Sequence, residues 1–140
     1  MLNLIYVSTA LRAFSDADLI ALLNQSREKN TRLGITGMLL YKDLSFIQLL
    51  EGPDEAVRGL VSTINRDNRH TGILILLDRQ IQQRRCPNWS MGFQNLNDPA
   101  LQSLPGYSEF MNESLDSERY QTDPNHAIRL LELFRKNMTA

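Results

Sequence analysis

The sequence predicts an α+β domain in the order β-α-β-β-α-β, with one further strand and a helical tail. Three observations carry that prediction. Short apolar runs with two-residue alternation are interleaved with two stretches of helical periodicity. Each helical stretch opens on a cap or an acidic first turn. Two of the apolar runs are separated only by Lys42 and Asp43, the spacing of a hairpin.

The first strand is NLIYVS, 3–8, where alternation places Leu4, Tyr6 and Ser8 on one face and Ile5 and Val7 on the other. Ser15 followed by Asp18 has the spacing of a capping box, and Leu19, Leu22, Leu23 and Ser26 then recur at helical intervals, giving a helix over 16–30. ITGMLLY, 35–41, and LSFIQLL, 44–50, form the hairpin, and Gly52 and Pro53 end it. A second helix over 53–66 follows, with Pro53 at its first position, Asp54 and Glu55 in its first turn, and Val57, Leu60, Val61 and Ile64 on one stripe. GILILLD, 72–78, is so apolar that it reads as a central strand or one covered on both faces. WSMGF, 89–93, reads as a fifth strand with Trp89, Met91 and Phe93 on one side.

From residue 97 the composition turns polar, interrupted by Pro99, Pro105 and Gly106, with room for short helices at LQSL and EFMNESL. A clearer helix follows Asp123 and Pro124, with Ala127, Leu130, Leu131 and Phe134 on its apolar stripe. This order is the ferredoxin-like plan: one sheet, both core helices on one face, and the C-terminal helical extension on the other. We expect residues 1–96 to form the domain proper and 97–140 an extension belonging to the same compact unit.

Composition narrows the function. Apolar residues make up 42% and charged residues 22%, with 15 Lys and Arg against 16 Asp and Glu and a net charge of -1. That balance offers no long-range attraction for nucleic acid or an anionic membrane. No window reaches the ~20 apolar residues of a membrane span, and the N-terminus lacks the pattern of a signal peptide, so we expect a soluble, cytoplasmic chain. The single cysteine, Cys86, precludes an intramolecular disulfide and a cysteine-based metal site, and a lone cysteine is usually a small hydrophobe. We expect no metal. There is no Gly-rich phosphate loop, no HExxH, and no nucleophilic triad to be built from His70 and His126.

One residue is out of place. Gln48 shares a strand face with Leu44, Phe46 and Leu50 in a run otherwise suited to burial, and an unpaired buried amide costs about 1–3 kcal/mol. Tyr6 is its natural partner, because the first and third strands are neighbours in this plan. A core hydrogen bond that fixes register explains the pair as well as a functional site does. Asn30 and Arg32 at the end of the first helix, and Asp67, Arg69 and His70 at the end of the second, converge on the same sheet edge. With Leu22, Leu23 and Ile64 inside, they outline a small-molecule cleft, or else they are helix caps; periodicity does not separate the two.

The phrases IYVS, KNTRLGITGMLLY, FIQLLEG, INRDNRH and NWSM, in this order, resemble the BLUF family, sensors of blue light using flavin. The resemblance covers roughly residues 1–96 and implies a ferredoxin-like fold holding FAD non-covalently between the two helices, with FMN or riboflavin as possible substitutes. By position it implies that Tyr6 and Gln48 drive the photocycle, that Asn30 holds the polar edge of the flavin ring, and that Asp67, Arg69 and His70 line the site. It makes Leu22, Leu39, Phe46 and Ile64 apolar ring contacts, and Trp89 and Met91 the strand-five pair linked to output. Two positions depart from the family: Lys29, where Asn or His is common, and Thr63, where some members carry Arg.

The mechanism implied by the resemblance has Tyr6 give an electron and then a proton to the excited flavin, with Gln48 as relay. An altered hydrogen-bond network persists after recombination and red-shifts the absorption. A glutamine amide suits this role because one end accepts and the other donates. The family reading makes the chain a photosensory protein and no enzyme, signalling to a downstream effector protein and forming a homo-oligomer. The expected output route is the fifth strand and the 97–140 segment. The alternatives are a flavin-less interaction module and a small flavin-dependent oxidoreductase on the same fold.

Overall fold

The computed structural model describes residues 1–87, 90–96, 123, 125 and 128–132. Five strands form one sheet: β1 (Leu2–Ala10), β2 (Thr36–Lys42), β3 (Ser45–Gly52), β4 (His70–Gln80) and β5 (Gly92–Asn95), in the spatial order β4-β1-β3-β2-β5. The first four pair antiparallel, and β5 runs parallel to β2. Two helices, α1 (Asp16–Leu33) and α2 (Asp54–Asn65), connect them, so the core follows the β-α-β-β-α-β order expected.

Each helix has a local cause. Ser15 accepts from the Asp18 backbone N–H at 3.1 Å, while the Asp18 carboxylate accepts from the Ser15 N–H at 3.0 Å, a closed capping box. α1 runs three residues beyond the expected end and stops at Gly34, whose φ of 71° is the left-handed conformation that glycine tolerates. α2 begins one residue later than expected: Pro53 is the extended N-cap (φ -58°, ψ 138°), and Asp54 is the first helical residue.

The hairpin turns at Asp43 and Leu44, with Lys42 paired to Ser45 and Asp43 at φ 55°. Leu44 therefore belongs to the turn and is exposed, not on the strand face assigned to it from alternation. Gly37 permits the close approach of β2 to β3, since a Cβ there would lie 1.9 Å from the Leu49 carbonyl oxygen.

The expectation for β4 fails. Its run reads as a central strand, yet it sits at one edge of the sheet beside β1, with Leu74 40% and Ile75 46% exposed. Strand order, which hydropathy does not encode, puts it there. The fifth strand also starts later than expected: Met91 and Ser90 precede it, and Trp89 lies outside the described residues.

Apolar clusters fill both faces. On the helix side, Leu4, Tyr6, Leu39, Phe46 and Leu50 of the sheet pack under Leu19 and Leu23 of α1 and Val57 and Leu60 of α2. On the other side, Ile5, Val7, Met38, Leu40, Ile47 and Leu49 meet Cys86, Leu96, Leu130 and Leu131. The last two lie in helical backbone, so the C-terminal helix covers the opposite face where it is described; Ala127, Phe134 and the short helices expected within 97–122 lie outside the described residues. Cys86, 1% exposed, packs within this cluster as a small hydrophobe.

A polar clamp holds the segment after β4 to the sheet. Glu51, fully buried, accepts from the backbone N–H groups of Arg85 (2.9 Å) and Cys86 (2.8 Å) and from Asn3 Nδ2 (2.9 Å). The Arg84 guanidinium donates to Thr36 Oγ1 and to the carbonyl oxygens of Glu51 and Gly34. Residues 84–86 are thereby held against the sheet beside Glu51.

Candidate functional site

Sheet register builds the floor of the site. Tyr6 lies opposite Gln48 and Gln48 opposite Leu39, giving one cross-strand row; Ser8 lies opposite Phe46 and Phe46 opposite Tyr41, giving the next. Above this floor a cavity of about 140 Å³ opens between α1 and α2. Leu22, Gln25, Ser26, Lys29 and Asn30, spaced at helical intervals, form the α1 wall, and Leu60, Thr63 and Ile64 form the α2 wall. Phe14 closes one end, packed edge-on to Phe46 at 5.2 Å and tilted against Tyr41 at 6.0 Å. Asp67, Arg69 and His70 line the end beyond α2.

The polar groups are mostly satisfied within the chain. The Tyr6 hydroxyl donates to Gln48 Oε1, and Gln48 Nε2 points at the Met91 sulfur at 3.5 Å. Burial, with the Asp67 charge as a second cause, pushes the Tyr6 phenol well above its usual range, so it is a proton donor and not a phenolate. Asn30 Nδ2 donates to the Ser90 carbonyl at 2.8 Å and Arg27 Nε to the Met91 carbonyl at 2.9 Å. These two bonds from α1 hold the 90–91 segment so that Met91, 1% exposed, enters the helix-side core beside Gln48.

Asp67 accepts from Arg69 Nε at 3.0 Å and Nη2 at 2.5 Å and from the Arg69 backbone at 2.9 Å. The guanidinium contact holds the carboxyl below its usual range and raises the Arg69 pKa in return. His70 Nε2 donates to the Ile64 carbonyl at 2.7 Å, and Thr63 Oγ1 to Gly59 of its own helix. Lys29 has no hydrogen bond or ion pair among the described residues and stands half-buried on the α1 wall. Among the described residues, no group of His, Cys, Asp and Glu could hold a metal, and no helix is long and apolar enough to cross a membrane.

Tyr6, Leu22, Asn30, Leu39, Phe46, Gln48, Ile64, Asp67, Arg69 and His70, singled out from sequence, all line this one cavity. Arg32 does not. It sits on the exposed side of α1, past Asn30, where the helix has run beyond the end of the cavity. Sequence reasoning missed Ser8, Phe14, Gln25, Ser26 and Leu60 as lining residues. The helical spacing from Leu22 to Lys29 was a usable signal for Gln25 and Ser26; nothing in the sequence marked Phe14.

The arrangement suits a flat heteroaromatic ligand. Leu22, Leu39, Phe46, Leu60 and Ile64 offer apolar contact, Gln48 and Asn30 bring amides to the cavity, and Ser8 lines it with a buried hydroxyl that has no partner. A flavin ring, apolar at one end and edged with carbonyl and nitrogen groups at the other, fits that donor set.

Comparisons with known proteins agree. The sequence profile of the family described as sensors of blue-light using FAD matches residues 1–92. A photoactivated adenylate cyclase subunit beta from Euglena longa is 38% identical over 112 residues, which are 79% of this chain and 13% of that protein. The chain thus spans about an eighth of the length of that relative. The dark-state structure of BlrB superposes with a TM-score of 0.81 at 31% identity, covering 98% of this chain and 96% of that one. A bacterial light-regulated adenylyl cyclase gives a TM-score of 0.72 at 33% identity, covering 94% of this chain and 36% of that one.

Proposed function

We propose, on the premise that this chain belongs to the BLUF family, that it senses blue light through FAD held non-covalently in the cavity between α1 and α2 and signals by altered contact with another protein. The observation that carries the proposal is the buried Tyr6–Gln48–Met91 chain on the cavity floor, a hydrogen-bond relay that opens directly onto the ligand space.

The flavin supplies light absorption and a redox-active ring. Everything else falls to the residues. Tyr6, held protonated by burial, is the electron and proton donor; its hydroxyl proton already points at Gln48 Oε1. Gln48 both accepts from Tyr6 and donates toward Met91, so rotation or tautomerisation of its amide exchanges what it offers to each neighbour. Leu22, Leu39, Phe46 and Ile64 would exclude water from the ring, and Asn30, Asp67, Arg69 and His70 would border its polar edge. Lys29, the cation of the cavity wall without a counter-charge, suits the phosphates of the dinucleotide; Arg69 is neutralised by Asp67.

The route outward starts at Met91. A change of one or two hydrogen bonds is worth about 1 kcal/mol each, enough to bias a poised element and too little to rebuild a domain. The 90–91 segment is such an element, tied to α1 by Asn30 and Arg27 and continuous with β5. We read residues 97–140 as the output extension, with homo-oligomers, a separate effector protein and a cytoplasmic location as parts of the same proposal, and no catalysis in this chain.

Illumination of purified protein tests the reading. It should be yellow, with a flavin band that shifts reversibly to the red under blue light; colourless protein that takes up no FAD, or a band that bleaches without shifting, would overturn it.

A further inference from the structure

We infer that Ser8 is a positioning residue for the bound flavin, donating or accepting a hydrogen bond at the polar side of the ring; the inference rests on the flavin-binding reading above. Ser8 is 3% exposed, and its Oγ is the one buried side-chain polar atom among the described residues that has no hydrogen-bond partner. Buried hydroxyls are rarely left that way, because the lost hydration is not recovered. Ser8 is also a lining residue of the cavity.

Several other polar groups of the cavity already hold partners within the chain. Tyr6 and Gln48 bind each other, Gln48 also meets Met91, Asn30 donates to Ser90, Arg69 and Asp67 pair, His70 donates to Ile64, and Thr63 bonds back to Gly59. Backbone geometry adds to the case. The β1–β4 register shifts between Val7 and Thr9, so Ser8 sits at an irregularity while its β3 neighbour, Phe46, offers no polar atom. Two residues along β1 place its hydroxyl roughly 7 Å from the Tyr6 row, so the ligand must present polar atoms at both places. A flavin does so: its pyrimidine ring alternates carbonyl and ring-nitrogen groups, and a hydroxyl serves either as donor or as acceptor.

The test compares flavin-stripped full-length wild type and Ser8→Ala. Two quantities are read: FAD affinity by fluorescence titration, and the urea midpoint of the flavin-free protein. Loss of one neutral hydrogen bond to the ligand weakens FAD binding by about 2- to 12-fold. The flavin-free Ser8→Ala protein should unfold at the wild-type urea midpoint or above it, because the substitution removes an unpaired hydroxyl. The dark absorption band of the bound flavin should also move. Equal affinity in the two proteins overturns the inference, and so does an affinity loss accompanied by a lower urea midpoint, which marks a structural role. Failure of wild type itself to take up FAD would overturn the flavin reading instead, a result read before the variant is compared.

Discussion

Replacing Glu51 by Gln keeps the shape of the side chain and removes one acceptor oxygen from a buried network. In the native protein Glu51 Oε1 accepts from the Arg85 and Cys86 N–H groups, and Oε2 accepts from Asn3 Nδ2 at 2.9 Å and from the Arg85 N–H at 3.0 Å. A glutamine retains one oxygen for the two backbone donors but sets an NH2 group against the Asn3 NH2. Turning over the Asn3 amide relieves that clash only by facing its NH2 toward Arg79 Nε, which now donates to Asn3 Oδ1 at 3.3 Å. One buried donor is left without an acceptor in either arrangement, a cost of about 1–3 kcal/mol. Glu51 and Asn3 are both fully buried, so solvent cannot compensate. A domain of this size loses roughly 4 °C per kcal/mol, so the melting temperature of Glu51→Gln should fall by about 4–12 °C. Urea unfolding of the flavin-free protein gives the free energy directly. A change under about 0.5 kcal/mol, the range of an ordinary surface substitution, would refute the network as described.

Other outcomes follow from the relay. Gln48→Leu should retain flavin but lose the light-induced red shift, and should cost about 1–3 kcal/mol because the buried Tyr6 hydroxyl loses its acceptor; a normal shift in that variant would remove Gln48 from the relay. The Tyr6 pKa lies above its ordinary value of 10.0 because burial disfavours the phenolate. Its contribution to stability is therefore whole below pH 10 and is lost as pH rises from there toward the folded value. Tyrosinate absorbance at about pH 10.5 should be the same in folded wild type and in Tyr6→Phe, whereas a larger signal in wild type would mean that Tyr6 titrates normally.

The parts of the fold set by local periodicity were legible before the structure. The capping box at Ser15 and Asp18, the hairpin between 35 and 50, and the facing of Tyr6 onto Gln48 follow from helix spacing, two-residue alternation and strand order. β4 was misplaced because an apolar strand at a sheet edge has the hydropathy of a central one. Leu44 was placed on a strand because alternation does not show where a turn takes its second residue. Arg32 fell outside the site because helical spacing gives a face but not the point along it where a cavity ends. Ser8 shares the Tyr6 face by alternation, but a serine at such a position is ordinary, and only the folded chain shows that its hydroxyl lacks a partner.

The central claim is that light rewires hydrogen bonds around a flavin without forming a covalent bond. The light-minus-dark infrared difference spectrum of the purified, FAD-loaded protein tests it most directly. A flavin carbonyl stretch that moves to lower frequency on illumination, and returns in the dark, is the predicted result, because a new donor weakens the C=O bond. Carbonyl bands unchanged while the visible spectrum shifts, or the appearance of bands from a covalent flavin adduct, would contradict it.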